Sequence, residues 1–145
     1  MQLTSYTDYS LRMLIYLSTN GSRKLASIKQ ISAAYGISYN HLTKVGHELS
    51  RIGLIKTVKG RNGGIKLALP AEEINIGWVV RHTEDNLDLV ECFDPENSTC
   101  VLTGHCRLRG VLKEAMTAYL KVLDDYTLAD ITENETMLQG LLSIK

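Results

Sequence analysis

Apolar residues recur at helical spacing near the start of the chain, over residues 6–19. Leu11, Leu14 and Ile15 fall on one face of such a helix, and the pair Asn20-Gly21 that follows is typical of a helix end. The pattern predicts a first amphipathic helix that buries this face.

Two shorter helices are predicted next, separated by a glycine. Ser27 and Gln30 have the spacing of a capping box, in which the hydroxyl and the amide side chain each satisfy a backbone N–H of the first turn. Gly36 suits the left-handed end of this helix, and Ser38 can cap a further helix that we expect to run to residue 52. Two helices joined by a tight turn form a helix-turn-helix, whose second helix enters the major groove of DNA.

A β-hairpin with a basic, glycine-rich tip is predicted directly after this unit. Residues 54–58 and 65–69 are β-prone and flank Lys59-Gly60-Arg61-Asn62-Gly63-Gly64. A hairpin in this place is the wing of a winged-helix domain, where glycines permit close approach to DNA and Arg61 suits a narrow minor groove. A solvated hairpin without a DNA role is the alternative interpretation.

The predicted DNA contacts come from the outward face of the second helix and from the wing. They are Ser38, Tyr39, Asn40, Lys44, Lys59, Arg61, Asn62 and Gly63.

The second half of the chain predicts a short helix over residues 76–81 and a long one over residues 108–126. Apolar residues occupy one face of the long helix, which would be roughly 34 Å long if it begins at Gly104. This face is larger than one small domain can cover, so we expect a second subunit to cover it. Packing of the helix on its own domain is the alternative. The residues of the face are Leu108, Val111, Leu112, Ala115, Met116, Tyr119, Val122, Leu123 and Tyr126.

The charge distribution divides the chain at Pro70, although the formal net charge is zero. Residues 1–70 hold ten basic and two acidic residues, a net charge of +8, and the remainder therefore carries −8. A basic half that contains the helix-turn-helix and the wing favours DNA as the partner. An apolar content of 44% with 22% charged residues excludes a disordered chain. Since no apolar run approaches the roughly 20 residues of a membrane span and the start lacks a signal-peptide pattern, we expect a cytoplasmic protein without a membrane partner.

Three cysteines, Cys92, Cys100 and Cys106, lie within fifteen residues of one another. An odd number in a reducing compartment argues against a disulfide framework, and the close pairs typical of structural zinc are missing. Their wide spacing favours an iron–sulfur cluster, with Cys106 in the first turn of the long helix. Three thiolates leave one iron without a cysteine ligand, which exposes that iron to small molecules. Small buried cysteines without a ligand are the alternative.

Several segments of the sequence carry a resemblance to a known family. They are Met1-Gln-Leu-Thr-Ser-Tyr-Thr-Asp-Tyr-Ser-Leu-Arg, the wing Lys-Gly-Arg-Asn-Gly-Gly-Ile-Lys-Leu, Ile76-Gly-Trp-Val-Val-Arg, the three-cysteine loop and Tyr126-Thr-Leu-Ala-Asp. Together they resemble the nitric-oxide-sensing members of the iron–sulfur winged-helix family of repressors that also contains IscR. The resemblance spans nearly the whole chain. It implies a homodimer with crossed long helices, one 4Fe-4S cluster per subunit and binding to an imperfectly palindromic operator.

The resemblance also bears on the fourth cluster ligand. IscR-like proteins place a histidine three residues after the third cysteine, where this chain has Arg109, so a 2Fe-2S site is disfavoured. The nitric-oxide-sensing members use an aspartate that matches Asp8, contributed from the partner subunit. Asp8 also suits a plain structural role, because an acid stabilises a helix N-terminus and can pair with Arg12 at i+4. His105 and Asp94 are rival ligands.

The expected fold class is mainly α with a small β-hairpin. We expect a winged helix-turn-helix region over residues 1–80, a cluster-binding loop over 81–107, and the long dimerisation helix with C-terminal helices over 108–145. The function expected is a repressor that releases its operator when nitric oxide attacks the cluster, and not an enzyme. The alternatives are an iron–sulfur sensor of oxygen or cluster supply, a cluster-free winged-helix regulator, and an electron carrier, which would not need a basic wing.

Overall fold

The computed structural model describes residues 1–21 and 23–145. Within these residues the chain forms seven α-helices and one two-stranded antiparallel sheet. The elements are α1 (Ser5–Thr19), α2 (Ile28–Tyr35), α3 (Tyr39–Arg51), β1 (Ile55–Val58), β2 (Gly64–Leu67), α4 (Ile76–Thr83), α5 (Arg107–Asp124), α6 (Leu128–Ile131) and α7 (Glu135–Leu141), with short 3-10 turns at Ala71–Glu73 and Glu91–Phe93.

The capping signals of the N-terminal helices act as predicted. The Ser27 hydroxyl accepts from the Gln30 N–H at 3.1 Å, and the Gln30 side chain accepts from the Ser27 N–H at 2.9 Å. Gly36 closes α2 with a left-handed φ of 67°, and the Ser38 hydroxyl caps α3. The helix-turn-helix predicted from local sequence is therefore confirmed.

The core is built around α1. Met13, Leu14 and Leu17 are fully buried, and α1 packs against α3, α4, α6, α7 and β2. Both ends of the chain contribute to this core, since Leu128 of α6 is also fully buried within it. The other buried core residues include Ile31, Leu42, Val45, Leu49, Ile55, Ile65, Leu67, Ile74 and Val79.

The hairpin is attached to the segment that precedes α2. Ile65 of β2 exchanges two backbone hydrogen bonds with Ala26, of 2.8 and 2.9 Å. Gly64 lies so close to this segment that a Cβ there would be 2.7 Å from the Ala26 carbonyl oxygen. The strands are shorter than predicted, because β1 begins at Ile55 and β2 ends at Leu67.

Helix α5 is shorter than the sequence predicted. It spans 18 residues, or about 27 Å, rather than the predicted 34 Å. Gly104 has a φ of 97° and Cys106 is the extended N-cap residue, so the prediction that Cys106 lies in the first turn is wrong by one residue. At the other end, α5 stops at Asp124, and the carbonyl of Tyr126 beyond it accepts a hydrogen bond from the Ile76 N–H.

None of the residues of α5 is buried within the described chain. The side chains of Leu108, Val111 and Val122 on its apolar face are more than half exposed. The predicted apolar face therefore exists, and the rest of the chain covers it only in part: Met116 is half-buried and Leu123 packs against the core.

The C-terminal end of α5 is joined to both ends of α4. The Arg81 guanidinium makes a bidentate ion pair with Asp124, which lowers the pKa of that carboxyl, and the Asn75 side chain donates to the Asp124 carbonyl at 2.7 Å. Gly77 faces the same carboxylate, and a Cβ at this position would collide with it.

No helix in the described part of the chain has both the length and the apolar character needed to cross a bilayer.

Gly77→Ala is expected to destabilise the protein by about 1–3 kcal/mol, because the added methyl group must displace Asp124 from Arg81. Gly140→Ala is the matched control, since a Cβ on this helical glycine meets nothing within 4 Å and alanine should stabilise by roughly 0.5–1 kcal/mol. Urea denaturation measures both, and equal free energies of unfolding would contradict the proposed close contact.

Candidate nucleic-acid interface and cluster site

Helix α3 separates an apolar face from a polar face. Leu42, Val45 and Leu49 are buried against the core, whereas the predicted contact residues on the opposite face are exposed. That opposite face includes Ser38 at the N-cap, Tyr39, Asn40 and Lys44. Packing of the apolar face therefore fixes which side of α3 can meet a DNA groove.

The wing tip is a tight turn that presents exposed side chains. Lys59, Arg61 and Asn62 are exposed, and the Gly63 N–H donates to the Gly60 carbonyl at 3.0 Å. Gly60 has a φ of 109°, and a Cβ on Gly63 would be 2.9 Å from the Gly60 carbonyl oxygen. Both glycines are therefore required by the turn, which leaves the polar side chains to make contacts.

The cations of this surface are available to a partner. Lys44, Lys59 and Arg61 form no ion pair with any residue that the structure describes. Arg51 differs, because its guanidinium is held by Glu48 at 2.7 Å on the same helix. The outer face of α3 and the wing tip thus each present positive charge that can meet phosphates.

The three cysteines lie in the segment between α4 and α5, and all three are half-buried free thiols. Cys92 is in the 3-10 turn, Cys106 is the N-cap residue of α5, and Cys100 lies in a turn between them. The Cys100 carbonyl accepts from the Thr103 hydroxyl at 2.8 Å. The Cys92 carbonyl accepts from Nε of Arg109 at 3.0 Å.

The donor set was predicted to hold a cluster, and its chemistry fits one. Among the described residues no group of three or more His, Cys, Asp or Glu side chains converges on a point where one metal ion could bind. In a cluster, each thiolate binds a different iron, so the sulfurs need not converge in this way. The three free thiols in one loop are the type of donor that an iron–sulfur cluster takes.

Asp8 lies in the first turn of α1 and pairs with Arg12, as the i+4 spacing indicated. Its two carboxylate oxygens are 3.1 Å from Nε and 2.9 Å from Nη2 of Arg12. The guanidinium lies against the rings of Tyr9 and Tyr35, and the Tyr35 hydroxyl donates to the Arg12 carbonyl at 2.8 Å. Burial raises the pKa of Tyr35 to about 12, so this hydroxyl stays protonated as a donor.

The rival ligands differ in their surroundings. His105 is exposed. The Asp94 carboxylate accepts from the Asn97 side chain at 2.6 Å and from the Glu96 N–H at 3.1 Å, which lowers the pKa of Asp94. Asp94 thus stabilises its own turn.

Two features of the site could not be predicted from the sequence. The aromatic contacts of Arg12 join residues of α1 and α2, and the bond from Arg109 to Cys92 spans 17 positions. Neither has a local sequence signal.

Comparison with known proteins agrees with this architecture. Residues 3–134 match the Rrf2 family, described as an iron-dependent transcriptional regulator. The chain is 63% identical over 145 residues to the HTH-type transcriptional regulator NsrR of Halalkalibacterium halodurans, covering 100% of this chain and 99% of that protein. It is 50% identical over 145 residues to the NsrR regulator of Bacillus subtilis, again covering 100% of this chain and 99% of the relative.

The fold is also found in a solved structure. The structure of T. potens IscR aligns with a TM-score of 0.74 and 23% identity over 92% of this chain and 88% of that chain. The predicted winged-helix fold class is therefore confirmed, and so is the prediction of a DNA-binding transcriptional regulator that is not an enzyme. With 132 of its residues inside the family match, the chain belongs to the Rrf2 family of iron-dependent transcriptional regulators.

Proposed function

We propose that the chain is an iron–sulfur-dependent repressor that binds a palindromic operator as a homodimer and releases it in response to nitric oxide. The observation that carries this proposal is the placement of three free, half-buried thiols in one loop that leads directly into α5. A DNA-binding protein with free thiols is also best suited to the reducing cytoplasm.

The proposed DNA interface combines α3 and the wing. Ser38, Tyr39, Asn40 and Lys44 would enter the major groove, and Lys59, Arg61, Asn62 and Gly63 would meet the adjacent minor groove or the backbone. The exposure of their polar side chains and the unpaired cations support this assignment. Each phosphate contact releases counterions, so affinity should fall steeply with salt.

The proposed dimer uses the exposed face of α5. Removing this face from water would be favourable in proportion to the apolar area buried. A two-fold dimer would also present two wings to the two halves of a palindrome. The proposed division is a DNA-binding region (1–80), a cluster-binding loop (81–107), and the long dimerisation helix with the C-terminal helices (108–145).

The proposed ligands are Cys92, Cys100 and Cys106 of one subunit and Asp8 of the other, and the proposed group is one 4Fe-4S cluster per subunit. Arg109 in the position of the IscR histidine argues against a 2Fe-2S cluster. When bound, the cluster would supply iron that nitric oxide can attack.

The switch we propose lies in Asp8. As a ligand it would tie α1 of one subunit to the cysteine loop of the other, and so couple the DNA-reading region to the dimerisation region. Arg12 already holds both carboxylate oxygens in the present structure, so Asp8 has a stable partner when it is not a ligand. Loss of Asp8 as a ligand would remove the link between the DNA-reading region and the dimerisation region, and operator affinity would fall.

Nitric oxide is expected to lower the operator affinity of anaerobically purified holo-protein by roughly 5–150-fold, the range of an ordinary allosteric coupling. A gel-shift titration before and after stoichiometric nitric oxide measures this, with oxygen exposure as a parallel arm. Unchanged affinity after nitrosylation would refute the proposal. A response to oxygen alone would favour a sensor of the IscR type, and a colourless protein that still binds operator would favour a cluster-free regulator.

Arg61→Ala is expected to cost about 1–3 kcal/mol of operator binding and to relax specificity, because the side chain reads a groove. Lys44→Ala should weaken binding to all sequences alike and reduce the salt slope by about 1, because the ammonium contacts phosphate. Lys121→Ala, which removes a charge from the far end of α5, is the control. Fluorescence anisotropy at several salt concentrations measures all three, and equal losses across them would contradict the interface.

Asp8→Ala is expected to leave the cluster bound by three cysteines but to change its rate of reaction with nitric oxide. Arg12→Gln is the matched control, since it breaks the same ion pair while keeping the carboxylate. Stopped-flow absorbance at the cluster bands measures both variants. An Asp8→Ala rate equal to that of the wild type would instead favour His105 or a small molecule as fourth ligand.

A further inference from the structure

Arg109 makes a long-range contact with the cysteine loop that local structure does not explain. It is the third residue of α5, and its Nε donates to the main-chain carbonyl of Cys92 at 3.0 Å, across 17 positions of sequence. The side chain is half-buried, whereas Arg107 on the same turn is exposed.

The position of Arg109 on the helix is electrostatically unfavourable. The N-terminal end of a helix carries partial positive charge, so acidic residues are stabilising there and basic ones are not. The first turn of α5 holds no acidic residue that could offset Arg109. The favourable interaction that the structure shows for Arg109 is therefore its hydrogen bond to the loop, and not one with the dipole of α5.

A second side chain on the same face of α5 contacts the same turn. Lys113 lies one helical turn after Arg109, and its ammonium is 5.9 Å from the centroid of the Phe93 ring. Phe93 directly follows Cys92. The turn is otherwise held by two short-range backbone bonds, from Phe93 to Val90 and from Asp94 to Glu91, each 3.1 Å.

The cysteines differ in how they are joined to α5. Cys106 is its N-cap residue, so its main chain moves with the helix. Cys92 is distant in sequence and is joined to the helix through Arg109. The hydrogen bonds recorded for Cys100 connect it only to Ser98 and Thr103, within its own turn.

We propose that Arg109 is a positioning residue for the cluster site: by holding the Cys92 main chain against α5, it sets the separation of the Cys92 and Cys106 thiols before the cluster binds. This inference rests on the proposed cluster function. Two of the three thiols are then pre-organised on one rigid element, and only the Cys100 turn has to adjust. Such pre-organisation reduces the ordering that binding requires, and so favours uptake and slows loss of the cluster.

The test compares Arg109→Ala, Arg109→Lys and the control Arg107→Ala in the full chain. In protein prepared without metal, hydrogen exchange of the Phe93 and Asp94 amides should accelerate roughly tenfold in Arg109→Ala, as expected for loss of one charge-assisted hydrogen bond. Arg107→Ala should exchange like the wild type. Arg109→Lys should recover part of the protection, because an ammonium can still donate to the Cys92 carbonyl.

The second readout is cluster uptake under anaerobic reconstitution, measured as iron and sulfide content and visible circular dichroism. Arg109→Ala should hold its cluster less completely and lose it faster to a chelator, with partial rescue in Arg109→Lys. If the wild type and Arg109→Ala take up and retain the cluster equally, the inference is wrong, whether or not the turn exchanges faster. If the wild type itself takes up no cluster, the proposed function fails, and the inference fails with it.

Discussion

Helix α1 is buried by elements from both ends of the chain, and the other parts of the structure are placed by packing against it. Each fully buried side chain such as Met13, Leu14 or Leu17 contributes on the order of 1.5–3 kcal/mol. The same helix contacts α3, β2, α4, α6 and α7, so the DNA-reading elements and the C-terminal helices share one core. Asp8 is in the first turn of α1, so this carboxylate belongs to the helix that contacts both the DNA-reading elements and the C-terminal helices.

Two ion pairs fix the orientation of charged side chains at particular places in the fold. The Asp8–Arg12 ion pair lies at the start of α1, and the Arg81–Asp124 ion pair lies where α4 meets α5. Both pairs are partly exposed, so each contributes little to stability by itself. Their value is geometric, since Arg12 orients the Asp8 carboxylate and Arg81 fixes the end of α5. The unpaired cations of α3 and the wing remain free to meet a polyanion.

The helix-turn-helix could be predicted because its signals are local. Each of these signals makes its hydrogen bonds or turn within a few residues of its own position. They are the capping box of Ser27 and Gln30, the left-handed Gly36 and the N-cap Ser38. The ends of α5 could not be predicted in this way. Its apolar periodicity continues to Tyr126, yet the helix ends at Asp124, and the Tyr126 carbonyl accepts a hydrogen bond from the Ile76 N–H, fifty positions away. Likewise the wing is attached through backbone pairing of Ile65 with Ala26, which is 39 positions away and which no local sequence pattern indicates.

The sequence by itself determined the types of element, the outward polar face of α3, the basic wing tip and the presence of three cysteines within fifteen residues. These features follow from periodicity, capping chemistry and composition. Such signals involve residues that are close in sequence, so they can be read without knowing the fold. Only the tertiary structure decided that the Arg12 guanidinium lies against the ring of Tyr35, that Arg109 holds the main chain of Cys92, and that much of the apolar face of α5 stays exposed within the described chain. Contacts between residues that are distant in sequence depend on how the helices and loops pack, and their geometry is therefore absent from any short stretch of sequence.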